Sequence, residues 1–265
     1  MSILSEILAH KRQEVRASMK RLPSAFVKNA ALALPRKKNT FEKSLRKAKK
    51  IAIIAEIKHR SPSKGLLRKD FDPARIAKQY DRSGASALSV LTDKKYFGGL
   101  PEFLVRVKQV SRLPVLRKDF ILEEYQVYES RLLGADAILL IASALSVPKL
   151  RNFYKTAKGL GLDVLFEVHS AAELKKVLPL RPNLIGINNR DLRTFKVDLK
   201  LTRELSKAVP RRVLLVSESG IGNADDLRTV RAYGARAVLV GETFMRAKDP
   251  GKALKRLLGG FHGTR

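Results

Sequence analysis

Glu56 and Lys58 occupy alternate positions at the end of an apolar run, in the segment AEIKHRSPSKG. Alternate residues of a strand project to the same side, so a carboxylate and an ammonium would face one space. Such a pair suits proton transfer or anion binding. The structural alternative is a solvated ion pair at a strand edge, since Glu and Lys are rarely buried without a partner. This segment alone does not decide between them.

The same pattern recurs along the chain. PVLRKDF closes in Arg117, Lys118, Asp119 and Phe120, and DVLFEVH closes in Glu167 and His169. LIGINN leads to Asn188, Asn189, Arg190 and Asp191. VLLVSESG closes in Ser217, Glu218, Ser219 and Gly220, and AVLVG runs into Gly241 and Glu242. Any one of these polar ends could be a structural ion pair. A ring of them is better explained as an active site. The last two ends carry a glycine each, which lets backbone N–H groups approach a phosphate closely, with a helix N-terminus following. Each glycine alone would also fit an ordinary turn.

The elements that must position these residues follow from the periodicity. Eight short apolar runs recur from residue 51: Ile51–Ile57, Ala87–Leu91, Pro114–Phe120, Ala137–Ile141, Asp163–His169, Leu184–Asn189, Val213–Gly220 and Ala237–Gly241. Runs without alternation read as parallel strands buried on both faces. Between them lie segments of helical period such as PARIAKQYDRSGA, EEYQVYESRLLGA, SAAELKKVL and NADDLRTVRAYGA. Gly84, Gly134 and Gly234 fit helix C-terminal caps. Eight strand–helix units predict an α/β fold, a TIM (β/α)8 barrel, whose sites lie at the C-terminal ends of the strands and whose last two loops commonly hold phosphate. An open doubly wound sheet is the alternative. Residues 1–50 precede the first strand. SILSEILAHKRQEVRASMKRL predicts an amphipathic helix with Ile3, Ile7, Leu8 and Val15 on one side, packed over one barrel mouth. Residues 1–265 are expected to form one domain, with 1–50 as its helical extension.

Composition narrows the classes. There is no Cys among 265 residues, which excludes disulfides, thiolate metal sites and a cysteine nucleophile. His10, His59, His169 and His262 form no close pair, so a histidine metal site is not expected. No apolar run is long enough for a membrane span, and MSILSEILAHKRQE does not read as a secretory signal. A cytoplasmic, soluble protein is expected, as a monomer rather than an oligomer. The balance of 54 basic against 25 acidic residues, net +29, points towards polyanions. However, the basic residues are spread along the chain, and there is no Trp or aromatic RNA-binding motif. The charge therefore reads as a solvated surface that draws in a small anion, with weak non-specific polyanion binding beside it.

Taken in order, AEIKHRSPSKG, TDKKYFGG, PVLRKDF, LFEVHS, IGINNRDL, SESGI and VGETFM resemble the indole-3-glycerol-phosphate synthase family of tryptophan biosynthesis. The resemblance covers roughly Ile51 to Met245, and the leading segment is similar to the family's helical extension. It implies a carboxy-lyase acting on a small phosphorylated anion, without metal or organic cofactor. The reaction is closure of the pyrrole ring of 1-(2-carboxyphenylamino)-1-deoxyribulose 5-phosphate, with loss of carbon dioxide and water.

By that resemblance Lys118 is the general acid of ring closure and Glu167 the base of dehydration. Lys58 either binds the carboxylate or supplies the second acid. Glu56 either orients the lysines or bonds a developing hydroxyl. Asn188 and Arg190 orient the substrate, Arg190 with a fork suited to a carboxylate, and Ser61 bonds the same group. Phe97, Phe120 and Leu192 pack on the anthranilate ring, although Phe97 reads equally as core. Ser219, Gly220, Gly241 and Glu242 form the phosphate segment, the Glu242 side chain turned away from the anion. His169 and Arg117 match no catalytic position and read as structural. The net charge departs from the family's expected pattern. The competing readings are another phosphate-binding barrel, such as an isomerase or a Schiff-base aldolase using Lys118 or Lys58, and a basic nucleic-acid-binding barrel.

Overall fold

The computed structural model describes residues 3–38, 40–192 and 194–262. Met1, Ser2 and Asn39 of the expected extension, and the His262 side chain, lie outside what is described. Eight parallel strands close into a barrel in sequence order: β1 (Ala52–Ile57), β2 (Ala87–Leu91), β3 (Val115–Lys118), β4 (Ala137–Ile141), β5 (Asp163–Val168), β6 (Leu184–Asn188), β7 (Leu214–Glu218) and β8 (Ala237–Val240). Closure is by β1 on β8, with Ala52 opposite Ala237 and Ala55 opposite Val240. All eight apolar runs are strands, and the open sheet is excluded. The strands are buried almost throughout because helices cover the outer face and side chains fill the interior.

The helices form for local reasons. Asp72 accepts hydrogen bonds from the Ala74 and Arg75 N–H groups and caps α4 (Pro73–Asp81), which has Pro at its first position. Asn223 and Asp226 form a reciprocal capping box on the helix Ala224–Ala232. Gly84, Gly134 and Gly234 have φ of 93°, 89° and 100°, the left-handed region in which an L side chain is strained. Each thus ends a helix and turns the chain into the next strand.

The extension contributes three helices: α1 (Ile3–Arg21), α2 (Ser24–Ala33) and α3 (Thr40–Lys47). α1 buries Ile7, Leu8 and Val15, as the apolar stripe predicts, and Lys11 with them. It lies over the C-terminal mouth of the barrel, where Ile3, Leu4 and Ile7 line the cavity. α2 packs on the helix Glu124–Leu132, and α3 contacts β1, β2 and β5, with the Glu42 N–H donating to Asp163 at the start of β5. The extension therefore touches both ends of the barrel.

Candidate active site

A cavity of about 550 Å³ opens at the C-terminal ends of the strands. Its lining includes every residue singled out from the sequence as catalytic, substrate-binding or phosphate-binding: Glu56, Lys58, Ser61, Phe97, Lys118, Phe120, Glu167, Asn188, Arg190, Leu192, Ser219, Gly220, Gly241 and Glu242. Residues spread over nearly 190 positions of sequence meet because each closes, or directly follows, a strand of one barrel. Its size suits a small molecule.

At its floor, carboxylates from three strands converge on one ammonium. Lys118 Nζ, at the end of β3, lies 3.8 Å from Glu56 Oε2 on β1, 3.4 Å from Glu167 Oε2 on β5 and 3.5 Å from Glu218 Oε2 on β7. Lys58 Nζ pairs with the other oxygen of Glu56 at 2.5 Å. Burial opposes the charge on Lys118, but Glu167, Glu218 and Glu56 outweigh it and raise its pKa above that of an ordinary lysine. Burial likewise pushes Glu56 up, yet Lys58 and Lys118 hold its carboxyl below the usual range. The same contest lowers Glu167, through Lys118 and then His169. Glu218 goes the other way: burial, followed by the charge of Glu167, raises it to about 8. Of the three acids around Lys118, Glu218 is thus the one whose neutral form its surroundings favour.

Glu218 is the main residue that the sequence reading passed over. In the sequence it reads as a polar strand end with no assigned role. The signal available was its place at the end of β7, but nothing local says that it faces Lys118. Two glycines make room for these acids. A Cβ at Gly186 would collide with Glu218 Oε1, and one at Gly241 with Glu56 Oε1.

Asn188 Oδ1 accepts from Ser219 Oγ at 2.9 Å and from the Arg190 N–H at 3.1 Å, tying the ends of β6 and β7 together. The Arg190 fork is already engaged: Nη2 lies 3.2 Å from Glu242 Oε2, and Nη1 donates to the Phe195 carbonyl at 3.3 Å. The Glu242 side chain is held by Arg190 and by Arg246 Nε at 3.2 Å. Phe97 and Phe120 face each other with ring centroids 6.0 Å apart. Ser219 and Gly220 are both left-handed, with φ of 64° and 87°, so the loop after β7 turns sharply at the cavity wall.

Asn189 serves structure, bonding Ser217 Oγ and the Glu218 and Ser219 carbonyls. Arg117 is structural too: buried, it reaches Thr92, Ser130, Asp119 and Glu129. His169 is closer to the chemistry than its sequence reading allowed. Its Nε2 lies 3.4 Å from Glu167 Oε1 and its Nδ1 3.4 Å from Glu173 Oε2. Among the described residues no cluster of His, Asp and Glu has the arrangement of a metal site. None of their helices is long and apolar enough to cross a membrane.

The family model for indole-3-glycerol phosphate synthase matches residues 4–257. The chain belongs to the indole-3-glycerol phosphate synthase family. A relative of that name from Variovorax paradoxus is 48% identical over 262 residues, covering 96% of this chain and 98% of its own length. Another from Geobacillus kaustophilus is 47% identical over 259 residues, covering 97% of each. Among solved structures, a thiamine phosphate pyrophosphorylase from Pyrococcus furiosus aligns with a TM-score of 0.61 at 18% identity, over 83% of this chain and 96% of that one. The KGPDC of Streptococcus mutans aligns with a TM-score of 0.61 at 12% identity, over 80% and 98%. At that identity these two speak for the barrel fold alone. An indole-3-glycerol phosphate synthase is a carboxy-lyase of tryptophan biosynthesis that acts on a phosphorylated substrate. This activity takes the place of the isomerase, aldolase and nucleic-acid readings.

Proposed function

We propose that the cavity closes the indole ring with Lys118 as proton donor and Glu167 as proton acceptor. The observation that carries this reading is the convergence of three carboxyl groups on Lys118 at the floor of the cavity. In the first step the ring carbon bearing the carboxylate attacks the ketone carbon, and the carbonyl electrons move onto oxygen. The nucleophile is weak, so the developing alkoxide needs a proton at once. Lys118 supplies it. Its raised pKa is no obstacle, because an alkoxide is far more basic than an amine. Carbon dioxide then leaves, its bonding electrons restoring the aromatic ring. In the last step hydroxide leaves with a proton from an ammonium, and Glu167 takes a proton from the neighbouring carbon.

Lys58 stands by Glu56 on the cavity wall, placed for the second acid or for the substrate carboxylate. A protonated Glu218 supports Glu167 by adding no second negative charge beside it. Ser61 and Arg190 receive the carboxylate, for which Arg190 must exchange its contact with Glu242. Phe97, Phe120 and Leu192 form the slot for the anthranilate ring. The backbone at Ser219–Gly220 and Gly241–Glu242 takes the phosphate, and Glu242, drawn towards Arg190 and Arg246, leaves the anion unopposed. The extension and barrel work as one domain, since α1 supplies part of the cavity wall.

The test is incubation with the carboxyphenylamino-deoxyribulose phosphate while indole fluorescence is followed, against a chain that has no Trp. Fluorescence should rise with the parent. With Lys118→Ala it should rise about 10² to 10⁴-fold more slowly, the usual contribution of a general acid, while circular dichroism shows an intact fold. Turnover within a few-fold of the parent would remove Lys118 from its role.

A further inference from the structure

Lys11 is a lysine on the apolar stripe of α1, and only 1% of it is exposed. Its Nζ lies 2.9 Å from Asp93 Oδ2, 3.0 Å from Asp119 Oδ1 and 3.0 Å from Glu14 Oε1. Glu14 belongs to α1 itself. The other two do not: Asp93 lies beyond β2 and Asp119 directly follows Lys118. One ammonium thus joins the extension to two loops of the active site.

We infer that Lys11 is a positioning residue for the reaction, a latch that sets both the anthranilate slot and Lys118. One arm runs through Asp93. Its Oδ1 accepts the Tyr96 and Phe97 N–H groups at 2.9 and 3.3 Å and caps the short helix α5 (Lys94–Phe97), which carries Phe97 into the cavity. The other arm runs through Asp119. Its Oδ1, the atom that meets Lys11, also accepts the Phe120 N–H at 2.8 Å. Its Oδ2 takes Thr92 Oγ1 at 2.6 Å and Arg117 Nη2 at 3.1 Å. Asp119 is therefore clamped between Lys11 and Arg117, and the residues on either side of it are Lys118 and Phe120. A second tie joins α1 to the same helix, Tyr96 Oη donating to Glu6 Oε1 at 2.9 Å.

The choice of a buried ion cluster here has a physical reason. Apolar side chains of similar size often stabilise a fold as well as a buried pair does. What they lack is direction. A lysine with carboxylates from two loops fixes the position of each relative to the helix above them. Ile3, Leu4 and Ile7 on α1 line the cavity, so the latch also holds the roof. Misplacing a reacting group by about 1 Å can cost about 10²-fold in rate, so the spacing between Lys118 and the ring slot is worth fixing.

The inference rests on the cavity being the substrate site, and the experiment keeps the two apart. Lys11→Met is compared with Asp93→Asn, which retains a side chain able to cap α5 but drops its charge, and with Val15→Ala, which loosens α1 without touching the latch. For each, Tm, kcat, KM and the affinity for indole-3-glycerol phosphate, read by its own fluorescence, are measured. Lys11→Met should lower kcat/KM by about tenfold to a hundredfold, with raised KM and weaker product binding. Asp93→Asn should move the same quantities less. Val15→Ala should lower Tm alone. The inference is overturned if Lys11→Met leaves kcat/KM and product affinity unchanged, or changes them no more than Val15→Ala does at an equal loss of Tm. If Lys11→Met does not fold, Asp93→Asn decides, and an unchanged KM there overturns the latch. Full turnover in Lys118→Ala would instead undo the role of Lys118, leaving product affinity to report on the slot.

Discussion

The ammonium of Lys118 and the carboxylate of Glu167 stand 3.4 Å apart, although the proposed reaction asks one to give a proton and the other to take one. Their contact favours the charged form of both, because each supplies the opposite charge that the other's burial demands. A substrate entering between them would separate acid from base and set each at its own atom.

Glu167→Gln should slow dehydration more than ring closure. The amide keeps the shape and still bonds Lys118, but it cannot accept a proton. In a single-turnover experiment a decarboxylated, still hydrated species should accumulate. If only the first step slows, Glu167 has been given the wrong half of the reaction.

Glu218→Gln should stabilise the protein, and more so as pH rises. Burial and the neighbouring charge of Glu167 push the folded carboxyl up to about 8, from an ordinary 4.5. A group raised in this way contributes most stability below its unfolded pKa and loses it as pH climbs through the folded value. The Tm difference between Glu218→Gln and parent should therefore grow from about pH 5 to about pH 8 and level off above it. A difference that is flat across that range would show that Glu218 is ionised throughout.

Sulfate or inorganic phosphate should compete with substrate by occupying the loops at Ser219–Gly220 and Gly241–Glu242. Gly241→Ala should weaken that competition and also lower kcat, because the added Cβ would collide with Glu56 Oε1. An anion found only elsewhere in a soaked crystal, together with no competition in kinetics, would refute the phosphate assignment.

Added sodium chloride should lower kcat/KM and leave kcat nearly flat. The net charge of +29 sets up a field that draws in an anionic substrate. The Debye length falls from about 10 Å at 0.1 M salt to about 3 Å at 1 M. A fall in kcat of the same size would place the salt effect on the chemistry instead of on encounter.

Local preferences along the chain already specify the elements and the strand ends where a candidate site would lie. Strand burial on both faces, helical period, Asp72 and Asn223 at helix starts, and glycines at positive φ are local preferences of a few neighbouring residues. Once eight strands are ordered in a barrel, every residue closing one belongs to a single rim, which is why Glu56, Lys118, Glu167 and Asn188 could be gathered in advance. Whatever depends on distance through space emerges only with the fold. Glu218 reads as one more polar strand end until β7 brings it within 3.5 Å of Lys118. His169 reads as structural until its ring meets Glu167. Lys11 sits at the spacing of the apolar stripe between Ile7 and Val15, yet two of its three carboxylate partners lie some eighty and more than a hundred residues away. Arg190 was expected to await a carboxylate, and the fold gives it Glu242 meanwhile. Secondary structure depends on neighbours along the chain, whereas the charge state of a buried group depends on all the charges around it, and only the closed barrel with its helical roof sets those.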